Sequence, residues 1–114
     1  MCQNLLKAKS IDIHTHILPK NMPRWSERFG YGGFVHLDHH KLGCARMMID
    51  DVFFREIEAN CWDSEVRIQD MNGWGLDVQV LSTVPVMFNY HIAFKDSLAI
   101  QQYLNDHIAQ IVAS

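Results

Sequence analysis

A chain of 114 residues that is 48% apolar is long enough for one domain with a core of its own. Charged residues make up 20% of it and the net charge is -3, which excludes both the basic footprint of a nucleic-acid binder and an acidic tail. No apolar run approaches membrane-spanning length, and the two-leucine patch in "MCQNLLKAKS" is too short for a signal peptide, so neither nucleic acid nor membrane is expected as a partner. The cysteines Cys2, Cys44 and Cys61 are odd in number and form no CxxC pair, which predicts free thiols in a reducing, cytosolic setting.

Residues 1–9 read as a lead-in. From Ser10 the chain alternates: Ile11, Ile13 and Thr15 fall on one side of a strand, and Asp12, His14 and His16 on the other. Pro19 and Pro23 end that strand. Gly30, Gly32 and Gly33 then mark a turn before the apolar runs of "FVHLDHH" and "ARMMIDDVFFREIE", so residues 29–57 are expected to form a small antiparallel excursion. Over "DSEVRIQDMNGWG" the pattern turns helical, with Asp63 as N-cap and Gly73 and Gly75 as stops. "LDVQVLSTVP" is nearly continuous β-branched and apolar sequence, which suits a strand buried on both faces. A final amphipathic helix carries Ile100, Leu104, Ile108 and Ile111 on one stripe, with Asp96 able to cap its start. Alternating β and α elements predict a parallel sheet with helical crossovers, and nothing marks a second domain.

The histidine pair carries the chemistry. Strand residues two apart project from one face with Cα atoms roughly 6.6 Å apart, so two imidazoles there can converge on one ion. Neutral imidazole suits zinc and similar divalent metals, and His16 lies at the C-terminal strand end, where parallel α/β folds collect their active sites. The alternative is a pair of solvated rings at a strand edge.

Other residues are less pointed. In "HLDHH", His36, His39 and His40 could pass for a second cluster, but His39 and His40 are adjacent and should point apart. Asp12 reads as an interior polar residue or a partner of the histidines. Cys61 reads as a small buried thiol, and Met47, Met48, Met71 and Met87 as core filler. Trp25, Trp62 and Trp74 read as packing residues, while Phe88 and Tyr90 follow the second parallel strand and could line a pocket.

An apolar-Asp-apolar-His-x-His strand resembles the first barrel strand of amidohydrolase-like metal enzymes. The runs "IDIHTHILPK", "RFGYGGFVHLDHH", "NCWDSEVRIQDM" and "VQVLSTVPVMF" resemble, in order, one family among them, the aminocarboxymuconate semialdehyde decarboxylases. That resemblance implies a partial TIM (β/α)8 barrel: two βα units with a small β insertion after the first strand, at about residues 24–60. Residues 1–114 would then be the N-terminal part of a barrel domain that normally needs ~250 residues.

It also implies zinc as cofactor, with His14 and His16 as two of its ligands and Arg55 in "VFFREI" holding a substrate carboxylate. The substrate implied by the resemblance is a small molecule, decarboxylated without oxidation in the kynurenine branch of tryptophan degradation. The resemblance further implies a homodimer at full length. The remaining ligands and the acid/base histidine of the family have no counterpart here, so no catalytic residue is expected in this stretch and residues 1–114 alone are expected to be inactive. Two other readings stand beside this one. One is a related metal-dependent hydrolase of a different substrate. The other is a non-catalytic piece that associates with a full-length partner.

Overall fold

The computed structural model describes residues 9–114, so Cys2 and most of the lead-in lie outside the described residues. Strand β1 (Ile11–Ile17) and strand β5 (Val78–Thr83) pair in parallel, Ile11 opposite Val78 at one end and Ile17 opposite Thr83 at the other. Everything between them forms the crossover. A short helix, α1 (Trp25–Phe29), ends at Gly30, whose left-handed φ of 84° lets its N–H reach the Ser26 carbonyl.

The expected excursion is a three-stranded antiparallel sheet in the order β2 (Val35–Lys41), β3 (Cys44–Ile49), β4 (Val52–Glu58). Its two tight connections each need a residue with positive φ, and Gly43 and Asp50 supply them. Helix α2 (Ser64–Trp74) returns the chain to β5, and helix α3 (Phe94–Ala113) follows it. The class is therefore mixed α/β, with one parallel pair and one antiparallel sheet.

Asp63 caps α2 as expected, its carboxylate accepting from the Glu65 and Val66 N–H groups. The helix stops at Gly75, in the left-handed region, whereas Gly73 lies inside the helix. Asp96 does not cap α3. The N-cap position is Ala93, and Asp96 sits buried in the first turn, accepting from the Tyr31 hydroxyl at 2.6 Å. It thus ties the "GYGG" turn to the last helix, a long-range use of a carboxylate that local spacing does not reveal.

The core lies where the antiparallel sheet, α1 and α3 meet. Leu18, Trp25, Val35, Met47, Trp62 and Leu104 are all buried there, and Trp25 meets Tyr103 edge-to-face. Two expectations fail on this account. β5 is not buried on both faces, since Val80 is 51% exposed: a two-stranded sheet has no further layer to cover it. Trp74, at the end of α2, is 69% exposed and packs into no core. Among the described residues no helix is long and apolar enough to cross a membrane.

Candidate metal-binding site

The strict alternation expected of β1 is interrupted. Between Asp12 and Thr15 the register slips: three steps along β1 match two along β5, where Asp12 faces Gln79 and Thr15 faces Leu81. The Asp12 carboxylate closes this bulge by accepting from the His14 N–H at 3.0 Å. Asp12 therefore supports the backbone of His14 and touches neither imidazole through a recorded hydrogen bond. Ile13 is left 80% exposed, while Thr15 turns inward and donates to the Val80 carbonyl at 3.0 Å.

The two histidines lie close together beside this bulge. Their ring centroids lie 5.3 Å apart with the planes at 85°. Two imidazoles bound through nitrogen to one tetrahedral zinc at ~2.0–2.1 Å would hold their centroids roughly 5.2 Å apart, so the spacing and donor type fit such an ion. The set is only partial, because among the described residues no group of three or more His, Cys, Asp and Glu is placed to hold a metal. A catalytic zinc site usually takes three protein ligands.

Two neighbours hold His16, and neither stood out in the sequence. Ser82, opposite it on β5, lies 3.0 Å from its Nδ1 and donates to the Thr15 carbonyl at 2.7 Å. Arg67, on α2, donates through Nη2 to the His16 carbonyl at 2.7 Å, through Nη1 to the Asn60 carbonyl and through Nε to the Gln79 side chain at 2.9 Å. Burial pulls the Arg67 pKa below its usual value, partly offset by the charges of Cys61, Asp12 and Asp70. Arg67 carried no signal in the sequence that sets it apart from a solvated helix arginine. For Ser82 the available signal was a pair of hydroxyls, with Thr83, at the end of an apolar strand.

Arg55 is not brought to this pair by any recorded contact. It lies exposed on β4, an edge strand, with its guanidinium over the Phe54 ring at 5.7 Å. The "HLDHH" histidines do not cluster either: His39 bonds the Lys20 carbonyl and meets Trp62 edge-to-face, while His40 bonds Glu56. Cys61 is half-buried, and desolvation raises its thiol pKa. Phe88 and Tyr90 do line a pocket, an open cavity of about 480 Å³ beside Ser82, Thr83 and Gln101.

Known relatives match this stretch closely. No family model matches the chain. The 2-amino-3-carboxymuconate-6-semialdehyde decarboxylase of Dictyostelium discoideum is 60% identical over 107 residues, 94% of this chain and 30% of that protein. The protein of the same name from Caenorhabditis elegans is 48% identical over 102 residues, 90% of this chain and 25% of that one. The chain resembles the 2-amino-3-carboxymuconate-6-semialdehyde decarboxylases along nearly its whole length. A third, from Sus scrofa, matches at 52% over 48 residues, 42% of this chain and 35% of that protein. The chain thus spans about a third or less of the length of each of these relatives.

Proposed function

We propose that this chain supplies part of the active site of a zinc-dependent decarboxylase acting on 2-amino-3-carboxymuconate-6-semialdehyde, in the kynurenine branch of tryptophan degradation. The observation that carries the reading is the 60% identity to a protein of that name over 94% of the chain, together with two imidazoles at zinc-compatible spacing inside the matched stretch. On this reading β1 and β5 are neighbouring strands of a TIM barrel, and the antiparallel sheet is an insertion on it. The whole enzyme is cytosolic and a homodimer.

His14 and His16 hold the metal. A bound zinc ion supplies Lewis acidity toward an oxygen ligand. Arg67 and Ser82 hold His16 in place from its carbonyl and its ring. Arg55, exposed on an edge strand, grips a substrate carboxylate in a bidentate contact that lysine cannot reproduce. Two imidazoles alone do not complete a catalytic zinc site, and no acid/base histidine of the family is matched here, so residues 1–114 by themselves turn over no substrate at a useful rate.

The test is a chimera in which the matched segment of the Dictyostelium protein is replaced by this chain. Semialdehyde consumption at a rate near that of the parent supports the reading. Arg55→Ala in the chimera is expected to lower kcat/KM by a factor that corresponds to about 1.5–3 kcal/mol, with Arg55→Lys recovering only part of it. A chimera that binds zinc yet leaves the semialdehyde untouched favours a related hydrolase of another substrate. Wild-type kinetics in Arg55→Ala make that residue a surface charge.

A further inference from the structure

We propose that Ser82 is a positioning residue for His16: its hydroxyl fixes the imidazole as the Nδ1–H tautomer and so reserves Nε2 for a metal ion. The inference rests on the metal reading above and adds to it a residue from the neighbouring strand. A serine hydroxyl has one hydrogen to give. Ser82 gives it to the Thr15 carbonyl at 2.7 Å, so toward His16 Nδ1, at 3.0 Å, the same oxygen accepts. A neutral imidazole carries one N–H, and placing it on Nδ1 leaves the only ring lone pair on Nε2.

The bulge in β1 makes this possible. Were the register carried straight on from Asp12 opposite Gln79, Ser82 would face Thr15, and His16 would face Thr83. The extra residue between Asp12 and Thr15 moves His16 opposite Ser82 instead. Arg67 then keeps the His16 carbonyl from drifting, because its Nη2 donates to that oxygen from α2 at 2.7 Å. Residues that hold a metal-binding histidine in this way typically contribute 10–100-fold in metal affinity, by fixing tautomer and ring orientation.

The experiment uses the Dictyostelium chimera that carries this chain, with 15N-labelled histidine, in long-range proton–nitrogen spectra recorded at a pH where the imidazoles are neutral. The His16 signal is identified by its loss in His16→Ala. The wild-type chain is expected to show His16 as Nδ1–H, Ser82→Ala to move it toward Nε2–H, and Ser82→Thr, which keeps the hydroxyl, to restore Nδ1–H. Titration with zinc alone then reads affinity, expected to fall 10–100-fold in Ser82→Ala and to recover in Ser82→Thr.

A wild-type His16 in the Nε2–H form overturns the proposal, and so does a Ser82→Ala variant that keeps Nδ1–H. Zinc affinity that falls in His14→Ala and His16→Ala but not in Ser82→Ala fails this inference alone. Zinc affinity indifferent to both histidine variants fails the metal reading itself. If Ser82→Ala loses its folded amide spectrum, Ser82→Thr still decides, since a folded threonine variant with the wrong tautomer contradicts the hydroxyl's role.

Discussion

Three nitrogens of Arg67 bond three different elements: the His16 carbonyl on β1, the Asn60 carbonyl before α2, and the Gln79 side chain on β5. Because the group is part-buried, water cannot fully replace these partners once the guanidinium is gone. Hydrogen bonds to charged groups contribute about 1.5–3 kcal/mol, and removing the donor also leaves two carbonyls short of a partner. Arg67→Met is therefore expected to lower the unfolding free energy by about 2 kcal/mol in urea denaturation. Arg67→Lys should recover less than half, since a single ammonium cannot meet three acceptors set in a planar fork. Unchanged stability in Arg67→Met would show that the three contacts exchange freely with water. Nothing in the sequence separates Arg67 from a solvated helix arginine, because two of its partners, on β1 and β5, become neighbours only after β1 and β5 pair. Ser82 was hidden for the same reason: its value depends on a bulge in another strand, 67 residues away from it at Thr15.

At the scale of elements, what was legible rested on local signals. Periodicity marked the first strand and the last helix, a run of β-branched and apolar residues marked the second parallel strand, and the Asp63 cap marked the crossover helix, because capping is local. The bulge was not readable, since a strand that alternates perfectly in sequence can still slip against its neighbour. The start of β1 is held by another contact of this non-local kind. Asp77, just before β5, accepts from the N–H groups of Lys9 and Ser10 and from the Ser10 hydroxyl. These bonds, that from Lys9 foremost, hold its carboxyl below the ordinary aspartate value of 3.8, against a smaller upward push from burial. A depressed folded pKa stabilises the fold above the unfolded value, and that stability is lost as pH falls through the folded value. Protection of the Ser10 amide from exchange, taken against its intrinsic rate at each pH, should therefore fall as the pH drops below 3.8, and Asp77→Asn should weaken that pH dependence. Protection at Ser10 that is the same on both sides of that pH would remove Asp77 from this role.

At the scale of the whole molecule, the burial pattern explains where sequence reasoning fell short. Ile100 and Leu104, on the apolar stripe of α3, are buried with Trp25, Phe34 and Met47 from the crossover. Val80 and Ile13, on the parallel pair that carries the histidines, stand in solvent, and the expected double-faced burial of β5 fails. Arg55 and the histidine pair sit on separate sheets, so any joint action of the two depends on structure beyond their recorded contacts. The claim on which the proposed function turns is that His14 and His16 bind one ion together. Zinc content per chain of the Dictyostelium chimera, measured after purification for the parent, His14→Ala and His16→Ala, tests it directly. The account predicts about one zinc ion per chain in the parent and loss of most of it in either variant. Unchanged zinc in both variants would contradict it.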